Sequence, residues 1–352
     1  VIASLLRRGL TMEQATTVAK DVRARVAQLD RVESAALVAH IASALVAGGH
    51  GHLAKDGRVA PGPSDPLQVV VAGRAEPFPR HILLRDAVAV GVDVARAGAL
   101  VDSVHARLML IAQVVPEQLV REQFELALGA EGPEAVRRYR LIETIRASQV
   151  PVVVFLGGAS GTGKSTLALE LGFRLGIRRT LSTDMVRETM RAVLAPAIVP
   201  GLHDHSFGGL RDPDGMLDPR GRVIAGFLQQ AAQVRVGVRA VVGRAVQEGT
   251  HLLVEGTHLL PPFSEFVPAG TKVACAGMVL AAPSSEHHRQ RFPDRPGTRD
   301  SAAALNGFDA IRIVHDHVLH LAEETDSLVL VAPDRAVAPL YAMDLLARAI
   351  VG

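Results

Sequence analysis

Three observations predict an α/β fold, a parallel sheet flanked by helices, preceded by a mainly helical N-terminal region. The run "VPVVVFLGG" from Val150 is continuously apolar and rich in Val, the pattern of a strand buried on both faces of a parallel sheet. Directly after it, Gly158-x-x-x-x-Gly163-Lys164-Ser165 has the Walker A spacing of a phosphate-binding loop, and an amphipathic helical pattern follows. From there to the C-terminus, strand-like and helical runs alternate.

The 352 residues suffice for two domains or three small ones. An apolar fraction of 48% and a mean hydropathy of +0.23 support sizeable cores and exclude general disorder. Aromatics make up only 3% and Trp is absent, so the cores are expected to be built of Val, Leu, Ala and Ile. A net charge of +2 gives no basic stripe for nucleic acid, and the pI near 9.0 reflects a narrow Arg excess. The single cysteine, Cys275, excludes an internal disulfide and a cysteine-built zinc site; a buried, inert thiol in a reducing cytoplasm is expected. No apolar run reaches the roughly 18 residues of a membrane span. The opening "VIASLLRRGL" is interrupted by Arg7 and Arg8 and reads as no signal peptide, while the start at Val1 leaves room for upstream residues.

Residues 1–47 read as helical, with Leu5, Ala15, Val18, Val22 and Val26 at helical steps and a second run through Leu37, Ile41 and Leu45. The Gly/Pro-rich stretch 48–66 reads as a linker. Residues 67–148 form a second module: a strand, a turn around Gly73, a helix entered at Pro79, then helices over 95–114 and 116–128. It resembles the first segment at an offset of 82 residues, with "VRARV" from Val22 falling on "VHARL" from Val104 and Leu37 on Leu119. A partial repeat is one reading and chance likeness of Ala/Val-rich helices the other. Residues 149–352 are the α/β domain, with further strands at "RRTLSTD", "THLLVEGTH", "TKVACAGMVLAAP" and "DSLVLVAP".

The residues Gly158, Ala159, Ser160, Gly161, Thr162, Gly163, Lys164, Ser165 and Thr166 are the candidate nucleotide-binding set. Backbone N–H groups of such a loop and the helix N-terminus attract phosphate oxygens. Lys164, one of four lysines in the chain, is positioned for the β- and γ-phosphates, and Ser165 for Mg²⁺. Asp184 follows the next strand, where it could orient or deprotonate an acceptor hydroxyl; the alternative is a helix N-cap. Arg187 and Arg191 share one helix face and suit an anionic acceptor. Glu255 ends a buried strand, where a Walker B carboxylate serves the metal, and His258 just beyond is either a substrate contact or an ordinary loop residue. The run "HHRQRFPDRPGTRD" carries Arg289, Arg291, Arg295 and Arg299 and reads as a lid over ATP rather than a solvated charge run.

The run from Val150 to Arg191, with "EGTHLLPP" and "HHRQRF…NGFDAIRIVHDHVL", resembles the 2-phosphoglycerate kinases. The preceding "EPFPRHILLRDAVAVGV" and "RRYRLIETIR" resemble the ATP-cone module that precedes the kinase in that family; the match covers about residues 66 to 333. The resemblance implies transfer of the ATP γ-phosphate to 2-phosphoglycerate with Mg²⁺. Lys164, Asp184, Arg291 and Arg295 would act in the transfer, and Arg289 would join the loop in holding ATP. Asp184, Arg187, Arg191 and His258 would hold the acceptor, Ser165 and Glu255 the metal, and His203 to Gly209 would lie on the acceptor side. The expected partner is a small anionic phosphorylated substrate, with neither nucleic acid nor membrane, and a homo-oligomer is compatible. A kinase of a phosphorylated polyol and a nucleotide sensor with little catalysis are the competing readings.

Overall fold

The computed structural model describes residues 5, 10–27, 34–54, 67–212, 214–292, 305–331, 334 and 336–350. The chain divides into two compact units, one drawn from residues 1–83 with 98–127, the other from 84–97 with 128–352.

Helix α1 (Met12–Val26) opens with a capping box: the Gln14 N–H donates to the Thr11 hydroxyl and the Thr11 N–H to the Gln14 side chain. Its buried Ala15, Val18 and Val22 pack with Ala44 and Leu45 of α2 (Ser34–Ala47). Strands β1 (Gln68–Val71) and β2 (Arg74–Pro77) form an antiparallel hairpin. Its two turn residues, Ala72 and Gly73, both have positive φ (49° and 80°), as a type I′ turn needs. Helices α3 (Arg80–Ala89) and α4 (Val94–Ile111) follow, then β3 (Val114–Pro116) and α5 (Glu117–Leu128). The small sheet has the order β2-β1-β3, with β3 parallel to β1.

Two of these strands differ from the sequence expectation. All four residues of β2 are exposed, so no apolar alternation marks it, and only Val115 of β3 is buried. Shifting Met12 and Ser34 by 82 residues gives 94 and 116, within one residue of the starts of α4 and α5. In the expected linker, Gly51–Leu53 makes a single 3₁₀ turn, and residues 55–66 lie outside the described residues.

Helix α6 (Pro133–Ala147) leads into the larger sheet. Its elements in order are β4 (Val152–Gly157), α7 (Lys164–Leu175), β5 (Arg179–Ser182), α8 (Thr183–Val193), α9 (Pro219–Gln247), β6 (Leu252–Glu255), β7 (Ala274–Ala281), α10 (Ser285–Gln290), α11 (Phe308–Glu324), β8 (Leu328–Val331) and α12 (Ala338–Ile350). The five strands are all parallel in the order β5-β6-β4-β7-β8, giving the α/β fold that the alternation predicts. Every residue of β4 and β6 is buried, as expected of central parallel strands. The few aromatics are concentrated in the cores: Phe124, Phe155, Phe227 and Phe266 are fully buried, and Phe155 lies 6.0 Å from Phe263 and 5.6 Å from Phe266 by ring centroids. The remaining buried apolar residues are chiefly Val, Leu, Ala and Ile, as expected. The expectation of a buried Cys275 is corrected: it is exposed near the start of β7, whose first two residues are incompletely covered. No helix among the described residues is long and apolar enough to cross a membrane.

Candidate active site

In an open parallel sheet, ligands sit beyond the carboxyl ends of the strands, where the strand order reverses. Here the chain leaves β4 toward β5 on one side and returns past β4 to β7 on the other. The register pairs Glu255 with both Leu156 and Ser182, so the ends of β4, β6 and β5 stand at one level. The phosphate loop, Asp184 and Glu255 therefore converge although they are far apart in sequence.

The loop runs from Gly158 into α7. Lys164 is 7% exposed, and its ammonium donates to the Ala159 carbonyl at 2.7 Å. The Thr162 hydroxyl donates to the same carbonyl at 3.0 Å. At the head of α7, the Ser165 hydroxyl donates to the Glu255 carboxylate at 3.1 Å. Glu255 is buried, so the pair offers two hard oxygen atoms side by side, the donor type a small divalent cation takes.

Asp184 sits in the first turn of α8, and its own N–H donates to the N-capping Ser182 hydroxyl at 3.3 Å. Its side chain is 66% exposed, with one oxygen 3.7 Å from Nδ1 of His258. His258 is not at the surface. It is 1% exposed, and both ring nitrogens are engaged: Nδ1 with the Thr183 hydroxyl at 2.9 Å, Nε2 with the Gln230 side-chain oxygen at 2.9 Å. Gln230 spends its amide N–H groups on the Gly201 and Asp204 carbonyls, at 2.6 and 3.0 Å. Its oxygen must then accept, so His258 carries its proton on Nε2, and Nδ1 accepts from Thr183. Burial holds the ring's pKa down to about 4 against the pull of Asp184. Thr183 fits there because Gly256, at φ 154°, has no Cβ; one would overlap the Thr183 side chain.

Arg187 and Arg191 lie on one face of α8. Both pair with Glu188, at 3.2 and 2.6 Å, and Arg187 also donates to the Asp204 carbonyl at 3.0 Å. Burial pushes the Glu188 carboxyl up, but the hydrogen bonds from the two arginines outweigh it and lower its pKa. The Nε atoms of both arginines are buried without a partner among the described residues. Unspent guanidinium donors in one place suit an anion.

Of the four arginines expected in a lid, Arg291 donates to the Thr162 carbonyl of the phosphate loop, and Arg289 lies over the Phe308 ring at 4.4 Å. Arg295 and Arg299 lie outside the described residues. A cleft of about 580 Å³ opens beside the loop, lined by Thr162, Thr166, Glu170, Arg174, Arg291 and Asp334. The sequence reading missed Arg174 and Asp334. Asp334 follows the carboxyl end of β8, so the strand-end rule that found Asp184 could have found it.

A parallel sheet with a Walker A loop at the end of its central strand and a carboxylate on the neighbouring strand end marks a P-loop kinase, a class that uses ATP with a divalent cation. The 2-phosphoglycerate kinase of Pyrococcus furiosus is 34% identical over 252 residues, covering 70% of this chain and 82% of its own length. That of Methanopyrus kandleri is 33% identical over 268 residues, 71% of this chain and 77% of its own. The chain belongs to the 2-phosphoglycerate kinase family. No protein-family model matches the sequence. Among solved structures, shikimate kinase from Acinetobacter baumannii in complex with shikimate aligns over 60% of this chain and 97% of its own, at 17% identity and a TM-score of 0.35.

Proposed function

We propose that this chain transfers the γ-phosphoryl group of ATP to the free 3-hydroxyl of 2-phosphoglycerate, giving 2,3-bisphosphoglycerate and ADP. The observation that carries the reading is the convergence at the strand ends. The Ser165–Glu255 pair and the exposed Asp184 carboxylate lie at the aligned ends of β6 and β5, and Arg187 and Arg191 follow Asp184 on α8 with unspent Nε donors. The relatives' name supplies the acceptor.

The loop's N–H groups and Lys164 hold the β- and γ-phosphates, with Lys164 moving from the Ala159 carbonyl onto phosphate oxygen. The nucleoside lies in the cleft lined by Thr166, Arg174 and Asp334, whose volume suits a ligand of that size. Ser165 and Glu255 would hold Mg²⁺, which would supply charge neutralisation for the phosphoryl transfer. Arg187 and Arg191 take the acceptor's phosphate and carboxylate. Asp184 orients the acceptor hydroxyl and accepts its proton as the new O–P bond forms and the bond to ADP breaks. Arg291 and Arg295 neutralise the charge that develops on the transferring group, and Arg289 supports them from the Phe308 ring. Residues 67–148 serve as an ATP-cone-like regulatory domain and 149–352 as the kinase domain of a cytoplasmic enzyme, with 1–47 a partial repeat of the module joined by the linker 48–66.

The test is a coupled ADP-release assay with Mg·ATP and 2-phosphoglycerate, run beside 3-phosphoglycerate, glycerate and an inositol monophosphate, with Lys164→Ala as blank. The reading expects turnover on 2-phosphoglycerate with bisphosphoglycerate as product. Faster turnover on the inositol phosphate would replace the acceptor, and ATP binding with no turnover on any of the four would make the chain a sensor.

A further inference from the structure

The segment after β7 meets the phosphate loop at three consecutive residues. His288 Nε2 bonds the Ser160 carbonyl at 2.7 Å. Phe292, 4% exposed, lies on Gly161, where an added Cβ would overlap the ring. Arg291 donates to the Thr162 carbonyl. His288, Arg291 and Phe292 are spaced i, i+3 and i+4, so about one helical turn presents all three to the loop.

A carbonyl only accepts, so His288 carries its proton on Nε2 and its Nδ1 accepts from Arg312 at 3.4 Å. Arg312 is held by Asp316 at 2.9 Å, and Asp316 also accepts from His315 Nδ1 at 2.9 Å. The Ala282 N–H, just past β7, donates to His315 Nε2 at 3.1 Å. His288 is fully buried, so this chain of bonds ties the loop to the sheet through a rigid, neutral ring.

A trans peptide points its C=O and N–H in opposite directions. With the Ser160 carbonyl held by His288, the Gly161 N–H is turned away from α10. With the Thr162 carbonyl held by Arg291, the same is true of the Gly163 N–H. Both N–H groups have no partner among the described residues. We propose that His288 and Phe292 are positioning residues for nucleotide binding, which hold the Ser160–Gly163 backbone with its N–H groups aimed at the phosphates before the nucleotide arrives. The root of the expected lid, from His288 to Phe292, is thus a fixed brace on the phosphate loop. This rests on the reading of Gly158–Ser165 as the phosphate site.

The test is titration of the full chain with a fluorescent ATP analogue in the absence of acceptor, with folding of each variant checked by circular dichroism. His288→Leu, which removes the donor, should weaken nucleotide binding about tenfold, the effect of one buried hydrogen bond. It should leave the acceptor KM at saturating ATP within about twofold. His288→Gln, which keeps a donor near Ser160, should bind within about threefold of wild type. Phe292→Leu, which keeps the burial but uncovers Gly161, should lose about threefold and serves if His288→Leu does not fold. A folded His288→Leu or Phe292→Leu with unchanged nucleotide affinity overturns the proposal. So does an equal rise in both KM values, or a Gln variant as weak as Leu. Wild-type protein that binds the analogue no better than Lys164→Ala brings down the phosphate-site reading itself, and this proposal with it.

Discussion

Gln230 is the residue whose removal should separate acceptor binding from nucleotide binding. It is 1% exposed on α9 and joins the buried His258 to the surface segment around Gly201 and Asp204. Gln230→Leu keeps the volume approximately and deletes all three hydrogen bonds. The two carbonyls belong to incompletely buried residues and can turn to water, but the His258 N–H cannot. Leaving that donor unpaired costs about 1–3 kcal/mol, and the lost carbonyl bonds bring the total to about 2–4 kcal/mol. The Asp204 carbonyl also receives Arg187, so loosening it releases one of the two arginines proposed to hold the acceptor. The acceptor KM should rise about tenfold while ATP affinity stays within about twofold, because among the described residues Gln230 bonds Gly201, Asp204 and His258 and not the phosphate loop. With no Trp in the chain, urea denaturation is best followed by circular dichroism at about 222 nm, beside the ADP-release assay. Gln230→Glu still accepts from His258 but presents a carboxylate oxygen to the two carbonyls, so it should raise the acceptor KM as much. A stability loss with the acceptor KM unchanged would refute the coupling, and so would a parallel rise in the KM for ATP.

Three further perturbations address other parts of the site. Glu255→Gln keeps a partner for Ser165 but removes the charge that serves the metal, so kcat should fall by about 100-fold or more and the Mg²⁺ dependence should shift to higher concentration; an unchanged Mg²⁺ titration would place the cation elsewhere. Arg187→Lys and Arg191→Lys keep the charge but lose the planar fork, and each should raise the acceptor KM about tenfold with ATP affinity intact, as measured by the same assay. Stability should fall as the pH drops from 7 to 5. Burial holds His258 and His288 near pKa 4 in the folded chain, against about 6.5 unfolded, so in that window the unfolded state takes up protons that the folded state does not. Each histidine then contributes about 2 kcal/mol of loss, and His288→Gln should recover about half of the combined effect in urea melts at the two pH values; a flat profile would contradict the buried neutral rings.

What was legible in the sequence follows from where each signal resides. Central parallel strands are buried on both faces, so β4 and β6 read as apolar runs, and their spacing from the glycine loop, Asp184 and Glu255 fixed the strand-end residues in advance. Of the edge hairpin, β1 and the turn at Gly73 were legible, but the returning strand β2 was silent because it is exposed at all four positions and follows an Ala-Gly rather than an Asn-Gly turn. For His258, just beyond β6, the local sequence left a substrate contact and an ordinary loop residue open, and for His288 it offered no role. His258 turns inward to Gln230, 28 residues away, and to Thr183, 75 away; His288 reaches Ser160 across 128 residues. Such partners are set by packing and leave no local spacing to find. These two histidines lie behind the strand ends: His258, through Gln230, joins the Asp204 carbonyl that also receives Arg187, and His288 holds the Ser160 carbonyl of the glycine loop. A buried neutral imidazole suits that work because its two nitrogens, one donor and one acceptor, join groups on different elements at fixed distance without bringing a charge into the core. Lysine or arginine in either place would carry a charge that must be neutralised, and serine would be too short to bridge. The candidate residues at the strand ends were therefore the easier ones to place from sequence, because the sheet fixes their position, whereas those that pack behind them became visible only once the fold had brought distant segments together.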